Sequence, residues 1–259
     1  EAPLRYADLD GDNVPELIVP GEDGVLRVLR KDGSALPGFP VQTQPQFNLT
    51  PHLGAPGFAA LNATAPPREI LRAVSVADLD GDGYPELITA AGLHIYVWGH
   101  DGRPRAGFPV AMDRNNCRGE DQRQEDRHRK CGFLGSPGLG HLEGADKALT
   151  IVAAGLDGHL YAFRADGTTL PGFPVNLADP DKGEEATLAE SINDPAIGDL
   201  NGDGIDDVVI ATNETYDAES LNLGSILTGG GVAGAFYDTL GVAAGGSSRV
   251  YAVDGKTGA

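Results

Sequence analysis

Three segments of the chain repeat one pattern: DLDGDNVPELIVP (Asp8–Pro20), DLDGDGYPELITA (Asp78–Ala90) and DLNGDGIDDVVIA (Asp199–Ala211). In each, carboxylates alternate with small or turn-forming residues, and an apolar run follows at once. Any fold for this chain must place that pattern three times in equivalent surroundings. A second pattern follows at a distance: DGSALPGFPV (Asp32–Val41), DGRPRAGFPV (Asp101–Val110) and DGTTLPGFPV (Asp166–Val175) align without a gap. Ahead of each lies an alternating stretch, VLRVLR, IYVWGH or LYAFRA. A last copy, RVYAVDGKTG (Arg249–Gly258), keeps the alternating stretch and an Asp-Gly pair at Asp254-Gly255.

Each unit reads as a strand entering the acidic loop, an apolar strand, a turn, an alternating strand and a last strand on GFPV. Short apolar segments punctuated by Gly, Asp and Pro fit period-two strands and not helices. The unit recurs every 58 to 70 residues. The expected fold is therefore all-β: a β-propeller of four-stranded antiparallel blades. About four blades are expected within one propeller segment, residues 1–259, itself part of a larger ring. Blade one spans 1–42, blade two about 55–111, blade three 136–176, and blade four 194–259, which is incomplete. Insertions fall at 42–72, 113–133 and 213–247. The first contains APGFAAL (Ala55–Leu61), and the last is glycine-rich; long loops of this kind are functional or mobile.

The third unit departs from the acidic pattern. When SPGLGHLEGADKALTIVAAG (Ser136–Gly155) is laid on it, His141, Glu143, Ala145 and Leu149 fall where Asp78, Asp80, Asp82 and Glu86 stand. The strand framework survives without the carboxylates, so this blade is expected to bind no calcium.

The formal charge of −19 argues against a nucleic-acid partner, which needs basic surface, and leaves self-repulsion that bound cations would offset. No apolar run reaches the roughly 18 residues of a membrane helix, so no membrane insertion is expected within this segment. EAPLRYADLD shows no signal-peptide character. Cys117 and Cys131 bracket RGEDQRQEDRHRK. A disulfide closing this loop is the natural reading in an oxidising compartment; elsewhere they are two separate thiols, or a metal pair lacking a second pair.

Oxygen-bearing side chains at alternating positions converge on one centre when the backbone curls, and glycine permits the curl. An acidic residue four positions after the third closes the site, and the residue midway offers its backbone carbonyl. Hard oxygen ligands in this number suit calcium better than zinc, copper or magnesium. An EF-hand would place its closing carboxylate at loop position twelve. Those positions are Val19, Thr89 and Ile210, and none is acidic.

On these residues the chain resembles FG-GAP/VCBS repeat β-propellers, the integrin α-subunit-like type also found in secreted bacterial proteins. The resemblance implies calcium in loops between the first two strands of a blade, at about three sites. Its ligands would be Asp8, Asp10, Asp12, Val14 and Glu16 in blade one, and Asp78, Asp80, Asp82, Tyr84 and Glu86 in blade two. In blade four they would be Asp199, Asn201, Asp203, Ile205 and Asp207. It also implies a secreted or cell-surface protein serving adhesion or protein–protein interaction, with a protein or glycan as ligand. The remaining blades of the ring would come from the same or another chain.

No catalytic constellation emerges. The six histidines (His52, His94, His100, His128, His141, His159) form no HExxH, and no serine sits in a GxSxG elbow. GGGVAG (Gly229–Gly234) lacks the G-K-[ST] of a phosphate loop. The closing VYAVDGKTGA is similar to the repeat of quinone-dependent dehydrogenase propellers, which carry a tryptophan in most blades, whereas this chain has only Trp98. The chain is thus expected not to be an enzyme. The alternative is an accessory or carbohydrate-binding propeller module of a larger secreted enzyme. Asn48, Asn62 and Asn213 head N-x-[ST] sequons.

Overall fold

The computed structural model describes residues 3–45, 68–113, 131–177, 186–190, 193–216 and 246–259. These form four antiparallel sheets of four strands each, with no helix among the described residues. The first sheet runs in chain order through β1 (Arg5–Ala7), β2 (Glu16–Pro20), β3 (Val25–Leu29) and β4 (Val41–Gln42). The second is β5 (Leu71–Ala77), β6 (Glu86–Ala91), β7 (His94–Trp98) and β8 (Val110–Ala111). The third is β9 (Gly138–Gly140), β10 (Thr150–Ala154), β11 (His159–Phe163) and β12 (Val175–Asn176). These three are the four-strand meanders expected of propeller blades.

The fourth sheet is assembled differently. β13 (Ala186–Glu190) and β14 (Ala196–Gly198) pair end to end along one edge of the long β15 (Asp207–Tyr216), and β16 (Gly246–Val253) pairs along the other. The glycine-rich segment read as an insertion from 213 therefore gives its first residues to β15, while its middle lies outside the described residues. The last turn also differs. Gly258, not Gly255, donates to the carbonyl of Asp254, as Gly33, Gly102 and Gly167 donate to Arg30, Gly99 and Arg164. The Asp254-Gly255 pair is thus not equivalent to Asp32-Gly33.

The sheets pack face to face in sequence, β5 against β2 and β9, and β9 against β14. The inner sheets have two buried faces. Along β6, Leu87 and Ala91 join a cluster with Leu9, Ile18, Leu26 and Val28 of blade one; Ile88 and Ala90 join one with Ile151 and Ala153 of blade three. Val152 and Ala154, on the other face of β10, pack with Val208 and Ile210 of blade four. Burial on both faces leaves every residue of β6 and β10 buried, whereas β2 alternates buried with half-buried residues. Each fully buried Leu or Ile contributes about 1.5–3 kcal/mol.

Adjacent blades also touch through backbone. A Cβ added to Gly102 would strike the carbonyl oxygen of Gly38; on Gly167 it would strike that of Gly107, and on Gly258 that of Gly172. The glycine of each GFP corner thus seats on the glycine turn of the next blade. Gly33, in the turn of blade one, has nothing within 4 Å of that position. All four turn glycines have positive φ, between 73° and 84°, so an L side chain is strained equally at each. Gly102→Ala and Gly167→Ala are therefore expected to cost about 1–3 kcal/mol more than Gly33→Ala, the overpacking contribution alone. Urea unfolding of the three variants checks this; equal losses would mean the junction yields freely.

Candidate metal centres

Each acidic loop is held by its first carboxylate. Asp8 accepts the N–H groups of Gly11 and Asn13, both at 2.8 Å; Asp78 accepts those of Gly81 at 2.7 Å and Gly83 at 2.9 Å. Asp199 accepts Gly202 at 2.6 Å and Gly204 at 2.9 Å. These bonds require a left-handed curl, supplied by Gly11, Gly81, Gly83, Gly202 and Gly204. In blade one Asn13 takes the second such position at φ 65°, a conformation asparagine tolerates. The hydrogen bond from Gly204 leads those that hold the Asp199 carboxyl below its ordinary range.

The closing acid begins the second strand and clasps the loop. Glu16 accepts the N–H of Leu9 at 2.9 Å, Glu86 that of Leu79 at 2.7 Å, and Asp207 that of Leu200 at 3.0 Å. Asp8, Asp10 and Glu16 bring carboxylate oxygens within 4.8 Å of one another, and Asp78, Asp80 and Glu86 do the same. Asn201 replaces the third-position aspartate in blade four, so that loop offers Asp199, Asp207 and an amide. Asp12, Asp82 and Asp203 lie outside the two trios; each accepts the N–H two residues on, from Val14, Tyr84 and Ile205, at 2.7–2.9 Å. The side chains of Val14 and Tyr84 are exposed, and the Tyr84 ring stacks on His100 at 4.4 Å.

Electrostatics favour a cation in the trios. Glu86 is buried, and its desolvation pushes its carboxyl above the ordinary range, with Asp80 and Asp82 adding to the rise. In blade one, Asp10 Oδ1 is buried with no hydrogen-bond partner, an oxygen in need of a positive ligand. The chain supplies one cation to each third-position acid. Arg30 meets Asp10 at 2.9 Å and Arg105 meets Asp80 at 2.8 Å, and each hydrogen bond holds that aspartate below its ordinary range.

Blade three replaces the acidic set. Gly140 pairs with Thr150 as Ala77 pairs with Glu86, so the closing position falls on the buried Thr150 and not on Leu149; this loop is one residue longer. Arg164 makes two hydrogen bonds to Glu143, at 2.7 and 2.8 Å, the counterpart of Arg30 on Asp10. The N–H of His141 donates to Asp206 of blade four at 2.7 Å. A cleft between the second and third loops is lined by Asp80, Arg105, Glu143 and Arg164, all engaged in these pairs.

A second carboxylate system lies under β7 and β11. Glu69 is buried, accepts Tyr96 Oη–H at 2.5 Å, and lies 2.8 Å from His94 Nδ1. Asp157 does the same in blade three, accepting Tyr161 Oη–H at 2.5 Å with His159 Nδ1 at 3.4 Å. Burial, followed by the Glu69 hydrogen bond, pushes the Tyr96 phenol well above its ordinary range. The shared H-x-Y of HIYVW and HLYAF signals this arrangement in sequence, and LDGHLY carries its acid two residues ahead. Glu69 has no such signal, because it arrives from the segment read as an insertion. Cys131 packs at the edge of the second core and is not a free thiol; Cys117 lies outside the described residues.

The FG-GAP repeat family model matches residues 71–107. A search of curated proteins finds no match to the chain. Among solved structures, BBS1N in complex with ARL6DN, soaked with lead, is similar at 13% identity and a TM-score of 0.46, over 83% of this chain and 53% of that one. The Pseudomonas aeruginosa PilY1 C-terminal domain is similar at 13% and 0.44, over 78% and 37%. BamB from Moraxella catarrhalis is similar at 12% and 0.40, over 83% and 50%. The chain spans about half the length of the BBS1N and BamB chains, and less of PilY1. Blade two, with its acidic loop, is an FG-GAP repeat, and the chain is an all-β array of four propeller-type sheets.

Proposed function

We propose that this chain is a calcium-stabilised, non-catalytic propeller module of an extracellular protein, displaying loops for adhesion or protein binding. The observation that carries the reading is the same trio of carboxylates, within 4.8 Å, at the same place in two blades. A buried acid closes each trio, and blade four repeats the loop's hydrogen bonds. Asp8, Asp10 and Glu16 would hold one ion, Asp78, Asp80 and Glu86 a second, and Asp199, Asn201 and Asp207 a third, with Asp12, Asp82 and Asp203 and the carbonyls of Val14, Tyr84 and Ile205 completing the shells. Bound calcium would supply the charge that lets each loop stay closed.

Millimolar extracellular calcium fills weak sites that cytosolic levels leave empty. The bonded state of Cys131 supports a Cys117–Cys131 disulfide and an oxidising compartment. The ligand-binding loops would fall within 42–72, 117–131 and 213–247.

Calcium is expected to raise the melting temperature over chelator, and calorimetric titration to find about three sites. No shift and no heat would overturn the calcium reading. Asp80→Ala is expected to abolish one site and that site's share of the gain, whereas Ala145→Asp in blade three adds none, since Thr150 and His141 remain. Glu86→Gln gives a sign test. A carboxyl whose folded pKa is raised costs stability above its unfolded pKa, and the cost is relieved as pH falls through the folded value. In chelator at pH 7, Glu86→Gln is thus expected to raise the melting temperature, and in calcium to lower it. The same direction in both buffers would separate this acid from any ion.

A further inference from the structure

Every acid at the third loop position brings a guanidinium with it, but not from one fixed place in the repeat. Arg30 and Arg164 hold the same place in the turn after the third strand, where Gly33 and Gly167 donate to their carbonyls. Blade two has Gly99 there, yet Arg105, further along the chain, reaches Asp80 at 2.8 Å. Blade four has the uncharged Asn201 at the third position and Asp254 in the arginine's place. A charge supplied from two different positions, and dropped where the acid is dropped, answers to the acid and not to the turn. The two complete trios engage their arginines unequally. Arg105 Nη1 lies 2.8 Å from Asp80 and 3.5 Å from Glu86, so one nitrogen spans two of the three carboxylates gathered there. Its Nε donates to the carbonyl of Ala165 in blade three at 2.7 Å, and its side chain is 20% exposed. Arg30 meets Asp10 and no other member of its trio, leaves Asp10 Oδ1 without a partner, and is 41% exposed.

We infer that Arg30 and Arg105 are resident counter-cations of the two trios, against which calcium must bind, and that Arg105 makes the blade-two site the weaker of two sites with the same four acids. The inference rests on the calcium reading given above. Calcium takes oxygen ligands at roughly 2.3–2.6 Å. An ion so placed between Asp80 and Glu86 would stand beside a guanidinium nitrogen already bonded to one and close to the other, and two cations among part-buried carboxylates repel. Ion entry therefore has to move Arg105 off Asp80 and Glu86, and the bond to Ala165 resists the move. In blade one the free Oδ1 of Asp10 gives an ion its oxygen without first displacing Arg30. Blade three shows the exchange completed. Arg164 takes both oxygens of Glu143, at 2.7 and 2.8 Å, and Thr150 stands where the closing acid would be. Two unequal sites would empty one after the other as calcium falls, with each arginine keeping its emptied loop partly neutralised.

The test is calorimetric calcium titration of the full chain and of its Arg105→Gln, Arg30→Gln and Arg164→Gln variants. The blade-two site is identified as the one that Asp80→Ala removes. Arg105→Gln is expected to tighten that site about tenfold, and Arg30→Gln to tighten the blade-one site by less. Arg164→Gln removes the same charge one blade away and is expected to leave both sites unchanged. In chelator, Arg105→Gln and Arg30→Gln are expected to melt below the unaltered chain, because their acids have lost a partner, and the deficit is expected to shrink in calcium. Arg30→Gln carries the test at a more exposed side chain, should loss of the bond to Ala165 unsettle the joint between blades two and three. Unchanged or weaker calcium affinity in both variants overturns the proposal. Equal tightening by Arg164→Gln also overturns it, since net charge would then be the whole effect. Absence of calcium heat in all four proteins removes this proposal together with the calcium reading, whereas heat with equal affinities removes this proposal alone.

Discussion

The architecture depends on burying every inner sheet twice. A strand residue pointing one way completes the core shared with the preceding blade, and its neighbour completes the core shared with the next. Ile88 and Leu87 sit side by side in β6 yet belong to different clusters, with blades three and one respectively. No blade owns a core of its own, so stability is a sum over neighbours, as in other repeat folds. A sheet with one uncovered face gives up about half of its apolar burial. That is why the outer faces of the first and fourth blades stand apart from the rest of the molecule.

The acidic loops solve a different problem, that of reversing the chain between the first and second strands where a single leucine, Leu9 or Leu79, is the buried apolar residue of the loop. Their first and last carboxylates take up backbone N–H groups that the turn leaves unpaired, and in doing so draw negative charges together. Arg30 pairs with Asp10, and Arg105 pairs with both Asp80 and Glu86. Blade three shows the limiting case. There the guanidinium of Arg164 pairs with Glu143, Asp206 of blade four takes up the N–H of His141, and Thr150 has removed the closing charge.

Much of this was legible in the sequence, because it depends on local pattern. The period-two runs and the fixed distance from DG to GFPV gave three of the four sheets, and the alternating acids located the trios. What stayed hidden depends on contacts between distant residues. Nothing near Glu69 announces that its carboxylate will lie beneath Tyr96, 27 positions on. β13 pairs with β15 outside the repeat, with no repeated motif to mark it. The one-residue lengthening of the third loop escaped because a gapless alignment places Leu149, an apolar residue, where the pairing of β9 with β10 places Thr150. The last turn escaped in the same way, since Asp254-Gly255 copies the letters of the motif while Gly258 takes up its geometry.

The meeting of each GFP-corner glycine with the next blade's turn glycine is made of main-chain atoms alone. A contact that reads no side chain places no demand on which blade comes next, beyond a glycine at either end. Duplicating a unit, deleting one or transplanting one from elsewhere in the gene would preserve the fit, and the blades would be free to diverge afterwards. Blade three's exchange of a carboxylate cage for a guanidinium is the kind of divergence that such a joint permits.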